Sequence, residues 1–300
     1  MEIVKFEPFS SLLHPTFWHK LTQLKLDVLQ LDESAISITG EFSFDCKEGF
    51  PPQFIVDYTS FDENPNYSYG RFFGKGKLFN TNTIEAFQKL CCRETLTSEG
   101  NELFQFLNTN EALETPWKLN NSLILCYADL KKYHFNYWLA YPTISPSEPY
   151  VYEVLPKKLA ETWEKTQYNA FTKSVTQFLT ENSSPFFAFD SATSNCYSLK
   201  HIQNNQTLLS SVLFCFADPS SSANPGWPLR NYILLVQQHF GSKLNGSAKF
   251  VGVRRSKSNE GELHFRNSIL CPVKVPATPL TRGMKQHLNP PQLSTIILFR

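Results

Sequence analysis

The chain has 300 residues, and its 28 basic and 27 acidic side chains leave a formal net charge of only +1. This balance excludes the strongly basic surface that is typical of proteins binding nucleic acid or anionic membranes. A hydrophobic content of 41% and an aromatic content of 14% exclude a disordered chain. The length predicts one large or two ordinary domains, with a core that needs neither disulfides nor a structural metal.

The cysteines and the hydropathy pattern indicate the compartment. None of the seven cysteines has the spacing of a zinc or redox site, and their odd number suits a reducing environment. The first five residues, MEIVK, lack the pattern of a signal peptide. No apolar run reaches the roughly 18 residues of a membrane-spanning helix. We therefore predict a cytoplasmic protein without a membrane span.

The first elements in chain order are an arm, a helix and two strands. Residues 1–13 contain apolar side chains without periodicity, which indicates an arm that is either packed or waiting for a partner. Helical spacing over 16–30 predicts an amphipathic helix, and alternation over 36–44 and 54–58 predicts strands. Glycine, proline and asparagine then predict a loop over 62–76.

The longest apolar stretch runs from Ser122 to Pro142 and is interrupted by a polar break at 129–132. This pattern predicts two central strands joined by a tight turn, with Pro142 ending the second strand. A short helix with Asp129 as its N-cap is the alternative. Short helices are also expected at 83–90 and 99–107, before this stretch.

The second half of the chain mixes strands and helices without strict alternation, so the predicted fold class is α+β, with mixed sheets and packed helices. The elements expected from periodicity are a helix over 157–180, strands over 186–189 and 212–216, a helix behind Pro228, and strands over 249–254 and 262–269. Arg254, Arg255 and Lys257 are expected to lie in a solvated loop.

Two boundaries are predicted from composition. Residues 142–156 are rich in proline and serine and mark a possible subdomain boundary. From Cys271 onward prolines recur and periodicity is lost. We therefore predict a folded domain over 1–270 and a divergent, disordered tail over 271–300.

No catalytic, cofactor-binding or metal-binding residue can be assigned from motifs. The glycine-rich stretch GRFFGKGK at 70–77 matches neither G-x-G-x-x-G nor a P-loop. Cys91 and Cys92 precede Arg93, but we expect them at a helix C-terminus, where the dipole disfavours a thiolate. Trp227 lies in a rigid turn between prolines, either as an exposed anchor or as a buried staple to the core.

Four collinear segments resemble the N-terminal domain of the autophagy-related E1-like enzymes that activate ubiquitin-like modifiers. They are FEPFSS at 6–11, LFNTNTIEAF at 78–87, YADLKKYHFNYW at 127–138 and PGWPLRN at 225–231. The resemblance ends near residue 270. It implies the fold of that domain and a role in recruiting the conjugating (E2-like) enzymes that receive the modifiers, in the cytoplasm and at the phagophore assembly site.

The resemblance also implies a division of labour. In this family the catalytic cysteine and the ATP site belong to an adenylation domain that has no counterpart in this chain. We therefore expect no cofactor here, no activity of the chain alone, and contact with ubiquitin-like modifiers only through the full-length protein. A truncated gene, an alternative transcript or a fragment would each account for the missing domain. The alternative function is a stand-alone enzyme with an unrecognised active site.

A Phe-Ala-Pro element near the start of the family's sequences is linked to engaging the conjugating enzyme. It matches Phe6-Glu7-Pro8, where Glu7 replaces the alanine, and Phe9 follows. The resemblance thus implies that Phe6, Glu7, Pro8 and Phe9 bind the partner. The residues alone leave a second interpretation open, in which Phe6 and Phe9 pack against the first helix.

Overall fold

The computed structural model describes residues 2–45, 52–62, 69–90, 92–146, 148–257, 263–280 and 292–297. The strands of these segments are β1 (Ser10–Leu13), β2 (Ile36–Ser43), β3 (Gln53–Val56), β4 (Arg71–Thr81), β5 (Asn121–Asp129), β6 (His134–Ala140), β7 (Lys157–Lys158), β8 (Phe186–Asp190), β9 (Asn195–Tyr197), β10 (Val212–Ala217), β11 (Ser247–Val253), β12 (Ser256–Lys257), β13 (Leu263–His264), β14 (Ile269–Lys274) and β15 (Gln292–Ile297).

Their helices are α1 (Pro15–Leu24), α2 (Ile84–Lys89), α3 (Cys92–Leu107), α4 (Glu111–Glu114), α5 (Leu159–Thr162), α6 (Lys165–Glu181), α7 (Leu199–Asn204) and α8 (Pro228–Phe240). A π-helical turn, Lys25–Leu29, extends α1. The long helix predicted for 157–180 is divided into α5 and α6 by Trp163 and Glu164, whose backbone is extended. Cys92 begins α3, so the expectation of a helix C-terminus at this position is wrong.

Two mixed sheets carry the fold. Seven strands form the first sheet in the order β1-β3-β2-β4-β5-β6-β15, and six form the second in the order β7-β14-β11-β10-β8-β9. Buried side chains of both sheets join one apolar cluster, in which Phe42 and Phe135 of the first sheet accompany Phe187 and Val251 of the second. The two sheets therefore share a core, and the α+β class predicted from the sequence is confirmed.

The predicted strand–turn–strand at the centre of the sequence is confirmed as β5 and β6, which pair from Leu123↔Ala140 to Asp129↔His134. Asp129 Oδ1 accepts hydrogen bonds from the backbone N–H groups of Lys131 and Lys132, each at 3.2 Å. These bonds fix the turn through the side chain that would have capped the alternative helix, so that alternative is wrong.

The loop predicted over 62–76 is wrong from Arg71 onward, where the eleven-residue strand β4 begins. A Cβ atom on Gly74 would lie 2.5 Å from the backbone oxygen of Asn120, and one on Gly76 would lie 2.5 Å from Ser122 Oγ. Both glycines therefore serve a close approach of neighbouring chain rather than a turn.

The boundary predicted at residue 270 has to be corrected, because β14 runs through it. Pro272 lies within β14 without ending it. Its carbonyl points away from β11 and accepts a hydrogen bond from Glu153 N, so the N–H that proline lacks would not have bonded to β11. Leu280 is still buried. Residues 292–297 of the predicted tail form β15, which pairs with β6, so disorder is wrong for them as well. The rest of the predicted tail, 281–291 and 298–300, lies outside the described residues.

The proline-rich segment predicted as a boundary over 142–156 crosses from the first sheet to the second, but it is packed on the protein. Ile144, Tyr150 and Tyr152 are buried in an apolar cluster with α8. Asn231 of α8 donates to the carbonyl of Pro142 at 3.3 Å. This segment also provides the first of the supports on which the N-terminal arm lies.

Candidate partner-binding site

The N-terminal arm, residues 2–9, is held by two distant segments before it enters β1. The backbone N–H of Val4 donates to Tyr150 O at 2.9 Å, and Tyr152 N donates to Glu2 O at 2.9 Å. Farther along, Glu7 N donates to Pro225 O at 2.8 Å, and Trp227 N donates to Glu7 O at 2.9 Å. The arm therefore bonds through its backbone to the crossing segment and to the loop before α8, which satisfies these backbone groups.

The four residues implied as partner contacts have different environments. Phe9 is only 8% exposed, and its ring lies 5.5 Å from Phe42 and 5.4 Å from Phe54. Phe6 and Glu7 are half-buried, whereas Pro8 is exposed. The arm thus presents Phe6, Glu7 and Pro8 at the surface and anchors itself through Phe9.

The loop that receives Glu7 is organised by a buried ion pair. Asp218 accepts hydrogen bonds from Gly226 N at 2.9 Å and from Arg254 Nε at 2.9 Å. Arg254 in turn donates to the carbonyls of Ser222 at 2.6 Å and Asn224 at 2.8 Å. Burial raises the pKa of Asp218, while Arg254 and the backbone donors act in the opposite direction. The solvated loop expected around Arg254 is therefore wrong.

Ser222 connects this loop to the arm. Its hydroxyl donates to Glu7 Oε2 at 3.1 Å, so the residue that departs from the family's alanine has a partner inside the protein. Gly226 approaches closely as well, because a Cβ there would lie 2.5 Å from Asp218 Oδ1. The Pro-Gly-Trp-Pro turn therefore places Pro225 O and Trp227 N where they bond to the backbone of Glu7. Glycine is required at position 226 because a side chain there would collide with Asp218.

Trp227 is buried at 8% exposure, which confirms the interpretation of a staple to the core. Arg230, in the first turn of α8, lies with its guanidinium carbon 4.8 Å from the Trp227 ring centroid and 5.9 Å from that of Phe6. Sequence reasoning missed Arg230 as a site residue. The only signal was its place in the segment PGWPLRN, which carries no chemistry by itself.

A groove of about 340 Å³ opens beside the arm. Its walls are mostly apolar and include Ile3 and Phe6 of the arm, Ile144 and Tyr150 of the crossing segment, and Arg230 of α8. Ile3 is 51% exposed. The groove lies next to the surface presented by the arm.

The other candidate chemistry of the sequence is used structurally. Lys77, in the glycine-rich stretch, donates from Nζ to Glu99 at 2.8 Å and to Glu102 at 2.6 Å, so its charge is neutralised. Burial raises the pKa of the Cys126 thiol to about 12, despite nearby Lys25. Among the described residues, no group of three or more His, Cys, Asp and Glu side chains could hold a metal ion. In the same segments, no helix is long and apolar enough to cross a membrane.

This fold belongs to a class of α+β domain that has been solved before. The N-terminal domain of Atg7 from Kluyveromyces marxianus aligns with a TM-score of 0.71 at 19% identity, covering 98% of both chains. A crystal structure of the Kluyveromyces marxianus Atg7NTD–Atg10 complex aligns equally well, with a TM-score of 0.71 at 18% identity over 99% of this chain and 98% of that chain.

The sequence identifies the family. Residues 4–293 match the family described as the N-terminus of the ubiquitin-like modifier-activating enzyme ATG7, and the chain belongs to it. The enzyme of that name from Gallus gallus is 31% identical over 289 residues, and that from Mus musculus is 32% identical over 285 residues; each alignment covers 91% of this chain. The chain spans 39% and 40% of the length of these relatives. The family predicted from the four segments is confirmed.

Proposed function

We propose that this chain is the N-terminal part of an E1-like activating enzyme and recruits the E2-like conjugating enzymes of autophagy. Two findings support the proposal. The chain belongs to the ATG7 N-terminal family, and the similar Kluyveromyces marxianus domain has been crystallised in complex with Atg10. The complex carries the proposal, because it involves a domain that this chain matches over nearly its whole length.

Activation and recruitment are divided between domains in this proposal. ATP and the catalytic cysteine belong to the part of the relatives that this chain does not match, and this chain binds no cofactor. Ubiquitin-like modifiers are bound by the full-length protein, which acts in the cytoplasm and at the phagophore assembly site. Calorimetry with ATP and magnesium checks the division, with no binding heat expected from this chain. ATP-dependent thioester formation by the chain alone would favour a stand-alone enzyme.

The arm supplies the contact surface in this proposal. Phe6 and Pro8 present apolar surface beside Glu7, while Phe9 and the backbone bonds hold the arm in place. An apolar segment that is already held in place before binding loses little conformational freedom when it binds, and this favours affinity. Glu7 stays partly exposed to solvent and keeps its hydrogen bond to Ser222, so its charge is not buried without a partner in the interface.

The direct test is a binding titration of this chain with the autophagy conjugating enzymes of the same organism, including its counterpart of Atg10. We expect a one-to-one complex measured by calorimetry and by size-exclusion chromatography with light scattering. Absence of any complex with a folded chain, as judged by a cooperative thermal melt, would overturn the proposal.

A further inference from the structure

The edge of the second sheet carries a bulge at the end of the crossing segment. This segment runs antiparallel to β14, with Tyr152 opposite Val273 and Lys157 opposite Leu270. Between these two pairs the crossing segment has four residues, whereas β14 has only two. The excess residues have no partner in the ladder, so the chain protrudes from the sheet at this point.

Val154 and Leu155 form the tip of this bulge. Each is 52% exposed, while Tyr152 before them and Leu159 after them are buried. Pro156 fixes its own φ and disfavours a helical conformation for Leu155. The tip is therefore a pair of adjacent apolar side chains held out from the sheet by a stiff loop that is anchored on both sides.

Lysine side chains lie around the tip. Lys157 and Lys158 follow it directly and are exposed, as are Lys249 of β11 and Lys274 of β14. In the register of the sheet, Lys157 and Lys249 lie opposite positions 270 and 272 of β14, and Lys274 follows two positions farther along. Because side chains alternate along a strand, Lys157, Lys249 and Lys274 lie on the same face of the sheet.

The charge of these lysines is not neutralised within the protein. Across the described part of the chain, none of the four lies within ion-pairing distance of a carboxylate. Glu153 and Glu161 are the acidic residues nearest in sequence to Lys157 and Lys158, and Glu153 accepts a hydrogen bond from Ser247. The net charge of the whole chain is nearly balanced, so this basic surface is a local feature of the sheet edge.

A second exposed apolar group has neighbours of the opposite charge. Val28 and Leu31, which follow α1, are 69% and 81% exposed. Asp27, Asp32 and Glu33 lie beside them in the sequence and are exposed as well. An anionic surface would repel this second group, whereas it would attract the tip of the bulge and its lysines. The charges therefore distinguish the bulge from other exposed apolar side chains.

We propose that this edge of the second sheet binds the surface of an anionic lipid bilayer. Val154 and Leu155 enter the boundary between headgroups and acyl chains, and the four lysines bind the anionic headgroups. Burial of apolar side chains and attraction to anionic lipids act together in peripheral membrane binding. A bilayer accepts a protruding tip without a matching cavity, which a folded acidic protein would have to supply. The site goes beyond the proposed recruitment of conjugating enzymes and does not depend on it.

The test is co-sedimentation of the chain with vesicles of phosphatidylcholine, either alone or mixed with phosphatidylserine. We expect binding to the mixed vesicles and little binding to the neutral ones. Binding should weaken as the salt concentration rises, because the attraction of lysines to an anionic surface is screened. Absence of binding to the mixed vesicles by a folded chain would overturn the proposal.

Two double variants test the two components of the site. Lys157→Gln with Lys158→Gln should weaken binding to the mixed vesicles by about tenfold or more, because each basic residue near such a surface contributes about fivefold. Val154→Ser with Leu155→Ser should also weaken binding by about tenfold, since the tip then has no apolar side chains to bury. Loss of binding in the lysine variant alone would overturn insertion of the tip.

Matched controls lie in other parts of the chain. Val28→Ser with Leu31→Ser removes the same pair of side chain types, and Lys131→Gln with Lys132→Gln removes the same charge from the turn between β5 and β6. All four of these residues are exposed. Both controls should leave vesicle binding unchanged, and thermal melts should show that every variant is folded. Equal losses in the variants and their controls would overturn the assignment to this edge.

Discussion

Arg254 donates through Nε to Oδ2 of Asp218 at 2.9 Å, and the two side chains are only 3% and 0% exposed. This ion pair lies under the loop that bonds to the arm at Glu7. A buried pair stabilises a fold only when the remaining donors and acceptors are also satisfied, as Gly226 N, Ser222 O and Asn224 O satisfy them here. The buried ion pair therefore holds the loop to which the arm is bonded.

Asp218→Asn should destabilise the protein by about 3–5 kcal/mol, because it leaves the Arg254 charge buried without a counter-ion. Urea unfolding measures the change. The control is Glu114→Gln, which breaks the half-exposed pair with Lys200 and should change stability little. Equal effects of the two substitutions would contradict a structural role for the buried pair.

The combined variant Phe6→Ala with Pro8→Ala should weaken binding of the conjugating enzyme by about 1–3 kcal/mol while the melting temperature holds, because these residues present surface. Phe9→Ala should instead lower the free energy of unfolding by about 3–5 kcal/mol, since its ring is packed in the core. Calorimetric titration and denaturant unfolding of both variants distinguish the roles. Lost stability with unchanged affinity in the double variant would leave the arm with a packing role alone.

Gly74→Ala should cost about 1–3 kcal/mol of stability, since the new methyl group would meet the backbone oxygen of Asn120 at 2.5 Å and force β4 away from its neighbour. Gly246→Asn is the comparison, because its left-handed φ of 80° suits asparagine and no atom lies within 4 Å of its Cβ position. Thermal unfolding should separate the two, and a neutral Gly74→Ala would refute the close approach.

His239 predicts a pH dependence of stability. Burial lowers the pKa of His239, although the hydrogen bond from Nε2 to the Leu107 carbonyl at 2.9 Å opposes the shift. Because the pKa is lower in the folded chain than in the unfolded one, this contribution is present above about pH 6.5 and is lost as the pH falls through the folded-state value.

Melting temperatures between pH 7.5 and pH 5 should therefore fall less in His239→Gln than in the wild type, since the amide keeps a donor for Leu107 without titrating. The exposed His19→Gln is the matched control and should follow the wild type. A parallel decline in all three proteins would assign the pH dependence to other groups.

The part of the fold that could be predicted from the sequence is the part determined by neighbours in the chain. The hairpin of β5 and β6 follows from an apolar run, an aspartate turn and a terminating proline. The helix α8 follows from Pro228 and its periodicity. These signals are local, so no knowledge of the folded partner strands is needed to read them.

The missed features all depend on distant partners. The glycines of β4 predict a loop when only the local sequence is considered, because the strand that approaches them, β5, begins some 45 residues later. The local sequence predicts a solvated Arg254, because its acceptor Asp218 is 36 residues away. The groove was invisible for the same reason, since its walls come from three separate stretches of chain.

The backbone contacts of the arm can form only after a long stretch of the chain has been synthesised. Glu7 is made 215 residues before Ser222, to which it bonds. At about 5–20 residues per second, Glu7 is synthesised roughly 10 to 45 seconds before Trp227, whose backbone N–H bonds to it. During that interval Phe9 can pack against Phe42 and Phe54, but the backbone of Glu7 has no loop to bond to, so this part of the arm is fixed late.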